Sequence, residues 1–272
     1  MKDFNNKKVY IVGGSSGIGL STANILAAKG AHVIIFARTE DKLKRALDEI
    51  ATHGISKEQR FSWMSLDVSN HEEVASVMSK AVKEFGVPDV LINCAGRAYP
   101  HQFEDVTYEQ FDETMKINLY GIRNTVSALV PHMKKHGGYI VNVSSMAGFV
   151  GVFGYTDYCA SKFAVIGFSE ALRSELKRHN ITVSVLCPPD TDTPGFKVEN
   201  TTKPEETKAI SANAKLMQPD DVAREFIKGM QKEKFLIIPG FDGKLTFIAK
   251  RLFPALVESI MDRTIRKVQG KK

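Results

Sequence analysis

Tyr158 and Lys162 are two side chains whose types and spacing could together move a proton. They are four residues apart in a helical pattern that begins near Thr156, and this spacing places both on one helix face. A free tyrosine has a pKa of about 10, too high for efficient proton transfer near neutral pH. A neighbouring ammonium stabilises the phenolate and lowers that pKa. The pair therefore predicts an acid/base unit, although such pairs also occur by chance on many helices.

Ser145 and Asn118 are polar residues that could assist this pair. Ser145 precedes Tyr158 by 13 residues and comes just after a short apolar run, where its hydroxyl could hold a substrate oxygen beside the phenol. Asn118 lies inside a long helical pattern, where an amide side chain is unfavourable. One interpretation is a helix kink with an ordered water that delivers protons to Lys162. The other is a helix cap or a solvated asparagine.

A glycine-rich turn follows the first apolar run and precedes an amphipathic helical pattern. Missing side chains let the backbone approach a pyrophosphate, and the helix N-terminus offers free N–H groups and the positive end of a dipole. The alternative is an ordinary connection between a strand and a helix. The dinucleotide-binding interpretation assigns the contacts to Gly13, Ser15, Ser16, Gly17, Ile18 and Gly19.

Arg38 bears on which dinucleotide the sequence predicts. A NAD site needs an acidic residue at the end of the second strand, where it binds the ribose 2′-hydroxyl. That position is Ala37 here, and Arg38 follows it. A guanidinium in place of a carboxylate favours a 2′-phosphate, so we expect NADPH (NADP+) as the cofactor. Alternatively, Arg38 is a solvated residue before a helix.

Two more strand ends fit the adenosine half of this cofactor. Asp67 and Val68 follow the third apolar run, where an aspartate could bind the adenine amino group. Asn93, Ala95 and Gly96 follow the fourth, where small residues let the adenosine lie flat. Because Asn, Asp and Gly dominate ordinary turns, each segment alone could equally be a turn.

The elements that must position these residues alternate along the chain as short apolar runs and helical patterns. Runs rich in Val and Ile between amphipathic helices are typical of a parallel sheet covered on both faces. We therefore predict an α/β fold, a single Rossmann-like, doubly wound parallel sheet with helices on both faces and ligands at the carboxyl ends of the strands. The predicted strands are 9–12, 31–37, 61–66, 90–93, 139–143, 181–186 and 235–238, and the first helices are 17–29, 40–53 and 72–85.

Composition and charge narrow the class of protein. The 272 residues carry a formal net charge of +6, all of it from residue 244 onward, so nucleic-acid binding is not expected. The seven histidines lack metal-ligand spacing, so no metal site is expected. The three cysteines lie far apart and predict reduced thiols. With no signal peptide and no apolar run long enough to span a bilayer, the sequence predicts a cytoplasmic protein.

In type, order and spacing, these motifs together resemble the short-chain dehydrogenase/reductase family over about residues 7 to 240. The resemblance implies a catalytic tetrad of Asn118, Ser145, Tyr158 and Lys162. Tyr158 would donate a proton to the carbonyl oxygen as hydride arrives from the nicotinamide, and Ser145 would orient the substrate. Lys162 would lower the Tyr158 pKa and hold the nicotinamide ribose. A regulatory protein that binds NADPH without turnover is the alternative of another class, and it would be expected to have lost Tyr158 or Lys162.

The loop after the sixth predicted strand bears on the substrate. Pro188, Thr191 and Thr193 are expected to contact the cofactor, and Thr193 matches the family residue that bonds the carboxamide. With residues 199–207, this loop resembles the 3-ketodihydrosphingosine reductase subfamily, which uses NADPH to reduce the ketone of a long-chain sphingoid base. The resemblance implies a lipophilic ketone substrate and a role in sphingolipid biosynthesis. A steroid, retinoid or 3-oxoacyl substrate is the alternative that the tetrad does not separate.

Residues 244–272 are expected to form a basic, amphipathic helical extension of the domain formed by residues 1–243. One interpretation is a helix that packs on the domain or on a dimer partner. The other is an interfacial helix in peripheral contact with an anionic membrane. Because family members are often homodimers or homotetramers built on the helices that carry Asn118 and Tyr158, the same assembly is an expectation here. The apolar positions at helical spacing are Leu245, Ile248, Leu252, Leu256 and Ile260.

Overall fold

Runs of β-branched residues form the strands of one parallel sheet in the computed structural model, which describes residues 1–212 and 215–270. The strands are Lys8–Val12 (β1), His32–Ala37 (β2), Phe61–Ser65 (β3), Val90–Asn93 (β4), Gly138–Val143 (β5), Ile181–Leu186 (β6) and Leu236–Ile237 (β7). Their spatial order is β3-β2-β1-β4-β5-β6-β7, and every neighbouring pair is parallel. The predicted doubly wound parallel sheet is confirmed.

Helices connect the strands and cover both faces of the sheet. The α-helices are Gly17–Ala27 (α1), Glu40–Thr52 (α2), His71–Phe85 (α3), Tyr108–Met115 (α4), Gly121–Met133 (α5), Thr156–Leu176 (α6), Pro194–Glu199 (α7), Glu205–Ser211 (α8), Pro219–Gln231 (α9), Phe241–Leu252 (α10) and Pro254–Val268 (α11). A π-helical turn, Lys116–Tyr120, joins α4 to α5, and short 3₁₀ turns include Met146–Gly148 after β5.

Alternation along each strand sends successive side chains into two separate cores. In β1, Val9 and Ile11 pack with residues of α1, α2 and α9 on one face of the sheet. Tyr10 and Val12 pack with residues of α3, α5 and α6 on the other. Because both faces are covered, most strand residues are apolar, which is why the strands appear in the sequence as short apolar runs.

The strand order reverses between β1 and β4, where Val12 pairs with Asn93. In an open parallel sheet, ligands bind at such a switch point, beyond the carboxyl ends of the strands. The glycine-rich turn leaves β1 at this edge, and the segment 93–96 leaves β4 beside it. The fold therefore brings the predicted cofactor residues of the first and fourth strands together.

The C-terminal extension forms two helices, α10 and α11, instead of one. The break falls at Phe253 and Pro254, because proline cannot continue the hydrogen-bonding ladder of the preceding helix. The ring of Phe247 packs edge-on against Phe149 at 5.1 Å between centroids, so α10 lies beside the 3₁₀ turn that follows Ser145. Lys271 and Lys272 of the predicted basic extension lie outside the described residues. Across residues 1–212 and 215–270, no helix is long and apolar enough to cross a membrane.

Candidate active site

The four residues of the predicted tetrad gather beyond the carboxyl ends of β4 and β5. The Lys162 Nζ atom donates a hydrogen bond to the carbonyl oxygen of Val143, the last residue of β5, at 3.0 Å. The Nζ atom also lies 5.5 Å from the centre of the Tyr158 ring. Gly96, after β4, lies against both Lys162 and Asn118, and a β-carbon there would be 3.3 Å from Asn118 Oδ1 and 3.4 Å from Lys162 Nζ.

Tyr158 and Ser145 form the reactive pair of hydroxyl groups. Ser145 leaves β5 in extended backbone, and its Oγ atom accepts a hydrogen bond from the backbone N–H of Ala147 at 3.1 Å. This contact fixes the serine side chain at the start of the 3₁₀ turn. Ser145 lies close enough to the Tyr158 hydroxyl to act on its pKa, which it lowers. A carbonyl oxygen placed between the two hydroxyls could be held by one and protonated by the other.

The expectation that Lys162 lowers the Tyr158 pKa differs from what the structure shows. Burial raises the Tyr158 pKa, the negative charge of Glu199 raises it further, and the nearby Ser145 side chain only partly opposes them. Lys162 is itself buried, and loss of solvation lowers its pKa to about 8. The pKa values of Tyr158 and Lys162 are therefore shifted in opposite directions. The tyrosine stays protonated at neutral pH.

Asn118 occupies the π-helical turn that interrupts the long helix, which is the irregularity that its position suggested. Its Oδ1 atom accepts from the backbone N–H of Arg97, and its Nδ2 atom donates to the carbonyl oxygen of Arg97 and to Ser161 Oγ, at 2.9 to 3.0 Å. Because the amide is fully buried and bonded at both ends, the interpretation as a solvated asparagine is wrong. Asn118 ties the segment after β4 to the helix that carries Tyr158.

Asp157 is a residue of this site that sequence reasoning missed. Its carboxylate is only 1% exposed and accepts hydrogen bonds from the Tyr158 backbone N–H at 2.7 Å, from Thr114 Oγ1 at 2.8 Å and from Gln110 Nε2 at 3.2 Å. It therefore anchors the first turn of α6 to α4. An aspartate in the first turn of a helix suits the helix dipole, and the sequence has no signal that this one is buried.

The glycine-rich turn fits a pyrophosphate. Gly13 has a positive φ of 83°, and a β-carbon there would come within 2.6 Å of the Ala95 backbone nitrogen. Gly17 also has a positive φ, of 54°, and faces the Thr193 methyl group. Ser16 is the N-cap of α1 but makes no side-chain capping bond, and the first turn carries no acid. The helix therefore presents N–H donors and its positive dipole end to an anion.

Arg38 lies at the carboxyl end of β2, with an exposed side chain. None of the ion pairs among residues 1–212 and 215–270 involves its guanidinium. Its carbonyl oxygen accepts a hydrogen bond from Ser65 Oγ at 3.1 Å, which joins the ends of β2 and β3. A guanidinium at this strand end fits a 2′-phosphate, since it is not engaged by a carboxylate.

The predicted adenosine contacts differ in how far the fold itself already engages them. Asp67 Oδ1 accepts bonds from the Ser69 backbone N–H and Oγ, at 2.9 and 2.7 Å, so this oxygen is occupied by its own turn. The side chain of Val68 is buried against Gly121, which leaves packing as its evident role. Ala95 lies against Gly13, where a small residue is needed.

Asn93 does not extend its side chain toward the cofactor edge. The amide is buried, donates to Asn142 Oδ1 at 2.9 Å and accepts from Thr125 Oγ1 at 2.8 Å. Asn142 Nδ2 continues this network to Ser169 Oγ at 2.9 Å. The network links β4, β5, α5 and α6. Asn93 therefore supports the site by holding these four elements together.

Thr193 is the predicted loop residue that reaches the cofactor edge, since its methyl group lies against Gly17. Its Oγ1 atom accepts from the Phe196 backbone N–H at 3.1 Å and caps α7. Thr191 is buried, and its hydroxyl donates to the Pro189 carbonyl oxygen at 2.7 Å, which leaves no hydroxyl proton for a ligand. The carbonyl oxygen of Pro188 accepts from the Met146 backbone N–H at 3.1 Å, so this loop and the turn after Ser145 hold each other.

A second missed group lies beside Tyr158 and consists of Tyr155, Glu199 and Lys203. The Tyr155 hydroxyl donates to Glu199 Oε1, and Lys203 Nζ lies 2.9 Å from the same oxygen. Glu199 and Lys203 fall within the segment 199–207 that suggested the subfamily. Residue type alone does not reveal that these charges are buried against the acid/base pair.

Comparisons with known proteins agree with this geometry. The family model described as short chain dehydrogenase matches residues 7–204. The chain is 42% identical to a 3-ketodihydrosphingosine reductase of Bos taurus, covering 86% of this chain and 71% of that protein. It is 42% identical to a 3-dehydrosphinganine reductase of Danio rerio, covering 88% and 73%. It is similar in fold to a short-chain dehydrogenase/reductase of Burkholderia phymatum in complex with NAD, with a TM-score of 0.82 at 22% identity, covering 94% and 96% of the two chains.

Proposed function

The chain belongs to the short-chain dehydrogenase family, and we propose that it reduces the ketone of 3-ketodihydrosphingosine to the alcohol of dihydrosphingosine with NADPH. Family membership makes the protein an oxidoreductase and confirms the resemblance drawn from its motifs. The substrate assignment rests on relatives about 40% identical over most of both chains, which carry this activity in their names. The observation that carries the chemistry is the Tyr158 hydroxyl beside Ser145, with Lys162 behind the tyrosine ring.

The cofactor is held by the residues at the switch point of the sheet. When bound, NADPH supplies the hydride that reduces the ketone carbon. The N–H groups of the α1 N-terminus would bind the pyrophosphate, Arg38 would pair with the 2′-phosphate, and Asp67 would bond the adenine amino group. Lys162 would hydrogen-bond the nicotinamide ribose, and Thr193 the carboxamide. The small residues Ala95 and Gly96 leave room for the adenosine half.

Side chains of the protein itself supply the proton that the carbonyl oxygen receives. Ser145 holds the substrate carbonyl oxygen, and Tyr158 gives that oxygen a proton as the carbonyl is reduced. A raised pKa keeps Tyr158 protonated at neutral pH, which suits an acid that must donate in the direction of reduction. The positive charge of Lys162 opposes the build-up of negative charge on the phenol oxygen. Asn118 positions the helix turn beside Lys162.

Assembly and location are further parts of the proposal. Four exposed aromatic residues lie on the helices and turn around the tetrad, and they support a homodimer or homotetramer built on these helices. They are Tyr108, Phe111, Tyr120 and Phe163. The three free cysteines fit the reducing cytoplasm, where we place the protein.

The extension, residues 244–272, is proposed as a peripheral contact for an anionic membrane. In the two helices α10 and α11, the exposed apolar residues include Leu245, Ile248, Leu252, Leu256 and Ile260. Basic residues flank this surface, among them Lys250, Arg251 and Arg263. An apolar face with flanking cations suits the interface of a bilayer, where a long-chain ketone resides. The contact of Phe247 with Phe149 would bring that surface close to the active site.

Spectrophotometric assay of the purified protein tests the activity. We expect rapid loss of NADPH absorbance with 3-ketodihydrosphingosine, slow loss with NADH, and none with a steroid ketone. Turnover of the steroid ketone alone would retain the reductase and reject the sphingoid substrate. Vesicle co-sedimentation with anionic and neutral lipid tests the membrane contact separately.

A further inference from the structure

A buried group of charges lies against the reactive tyrosine and has no part in the proton transfer described above. The side chains of Lys203 and Glu199 are 1% and 16% exposed, and Lys203 Nζ lies 2.9 Å from Glu199 Oε1. Asp190 Oδ2 is 3.9 Å from the same Nζ atom. Tyr155, buried, donates its hydroxyl proton to Glu199 Oε1. We call these four residues the acidic cluster.

The acidic cluster is adjacent to the place where a carbonyl must bind. The rings of Tyr155 and Tyr158 are 5.5 Å apart between centroids, so the residue bonded to Glu199 touches the proton donor. Glu199 and Asp190 both lie near enough for their charges to act on the Tyr158 hydroxyl. Asp190 belongs to the loop after β6, and Glu199 is the last residue of α7. Both carboxylates therefore come from segments that follow the sixth strand.

The charges of the cluster do not balance. Two carboxylates face one ammonium, that of Lys203, which leaves an excess negative charge; the Glu199 side chain is largely buried and that of Asp190 is one third exposed. Both contacts to Glu199 use Oε1, and no described residue hydrogen-bonds Oε2. Burial raises the Glu199 pKa, the direction expected for a carboxylate with insufficient compensation. A buried carboxylate of this kind is stabilised by a second cation.

We propose that Glu199 is the specificity-determining residue that binds the ammonium group of the substrate. The inference rests on the proposed function, because 3-ketodihydrosphingosine carries an amine on the carbon next to its ketone. With the ketone oxygen held between Ser145 and Tyr158, the amine is on the adjacent carbon. The ring of Tyr155, whose hydroxyl is bonded to Glu199, lies 5.5 Å from the Tyr158 ring. Steroid, retinoid and 3-oxoacyl substrates lack this cation. They would leave Glu199 Oε2 without a partner, which is how a polar site rejects an apolar analogue.

A comparison of two ketone substrates distinguishes ammonium binding by Glu199 from a purely structural role of this residue. The first is 3-ketodihydrosphingosine, and the second is 1-hydroxyoctadecan-3-one, which has the same chain without the amine. The measured quantity is the ratio of their kcat/KM values. For the wild-type protein we expect the amine to be preferred, and for Glu199→Gln we expect the ratio to fall on the order of 10- to 100-fold, the range for a lost hydrogen bond to a charged group.

A matched control is Glu206→Gln, the same change at a carboxylate on α8 that pairs with Gln269 Nε2 at 3.1 Å. We expect it to leave the ratio unchanged. If Glu199→Gln lowers both rates equally, or if the wild-type protein does not distinguish the ketones, the ammonium role is wrong while the reductase function stands. If the wild-type protein reduces neither ketone, the proposed function itself fails, and the inference with it.

A measurement on the wild-type protein alone covers the case in which Glu199→Gln does not fold. Dihydrosphingosine, the product, and octadecane-1,3-diol differ only in the amine. We expect dihydrosphingosine to inhibit at a concentration on the order of 10-fold lower or more. Equal inhibition by the two alcohols would overturn the ammonium site.

Discussion

Replacement of Asp157 by alanine should both destabilise the fold and misplace the proton donor. The carboxylate is 1% exposed and accepts three hydrogen bonds, from the Tyr158 backbone N–H, Thr114 Oγ1 and Gln110 Nε2. Thr114 is fully buried, so its hydroxyl would have no water to replace the lost acceptor. Gln110 is partly exposed and can turn toward solvent.

The magnitude follows from two donors that lose their acceptor, Thr114 Oγ1 and the Tyr158 backbone N–H. A buried donor left without its partner costs about 1–3 kcal/mol, so we expect Asp157→Ala to lower the free energy of unfolding by roughly 2 to 6 kcal/mol. Asp157→Asn keeps the shape and one acceptor oxygen, so we expect a loss nearer about 1 to 2 kcal/mol. The backbone of Tyr158 loses its anchor in the alanine variant, and kcat should fall in the fraction that remains folded.

Urea unfolding followed by circular dichroism measures the first effect, and initial rates at saturating NADPH measure the second. The control is Asp112→Ala, which removes an acid on the same α4 helix that pairs with Lys116 at 2.6 Å near the surface. Such surface pairs contribute about 0–1 kcal/mol. An Asp157→Ala variant that is no less stable than Asp112→Ala, with an unchanged kcat, would refute the anchoring role.

Three further substitutions address the site. Tyr158→Phe should lower kcat on the order of 10²- to 10⁴-fold while NADPH binding, measured by fluorescence titration, stays near the wild-type value; retained turnover would refute the acid role. Arg38→Ala should raise the KM for NADPH on the order of 10-fold or more and leave that for NADH nearly unchanged, whereas equal changes would contradict the 2′-phosphate contact. Because the Lys162 pKa is lowered to about 8, the folded state binds fewer protons than the unfolded chain above that pH. The free energy of unfolding of the wild-type protein should therefore rise from pH about 7.5 to about 9.5 relative to that of Lys162→Met. Urea midpoints that change with pH by the same amount in the two proteins would contradict this.

Much of the fold could be predicted because its signals are local. The strands Val90–Asn93 and Ile181–Leu186 match the predicted ranges, since buried β-branched runs have sharp ends. The last strand is only Leu236–Ile237, shorter than the predicted 235–238, because pairing with β6 decides where it ends. The break at Pro254 was readable from the proline, but the helical spacing of the flanking leucines concealed it.

The site could be predicted in its residues but not in all their roles. Asn93 was assigned to the cofactor, yet its partners Thr125 and Asn142 come from other elements and engage it in a buried network. The tyrosine pKa was expected to fall beside Lys162. It rises because burial and the Glu199 charge, both set by tertiary packing, outweigh the lowering effect of the Ser145 side chain.

Transfer of a label from the cofactor to the sphingoid product tests NADPH-dependent ketone reduction most directly. The protein is incubated with 3-ketodihydrosphingosine and NADPH that carries deuterium at the transferable position of the nicotinamide, and the lipid product is analysed by mass spectrometry. We expect dihydrosphingosine with deuterium on C3, and on the order of 100-fold less labelled product, or lower still, from Tyr158→Phe in the same time. Unreduced 3-ketodihydrosphingosine, or dihydrosphingosine without deuterium, after incubation with folded, NADPH-binding protein would contradict the proposed reaction.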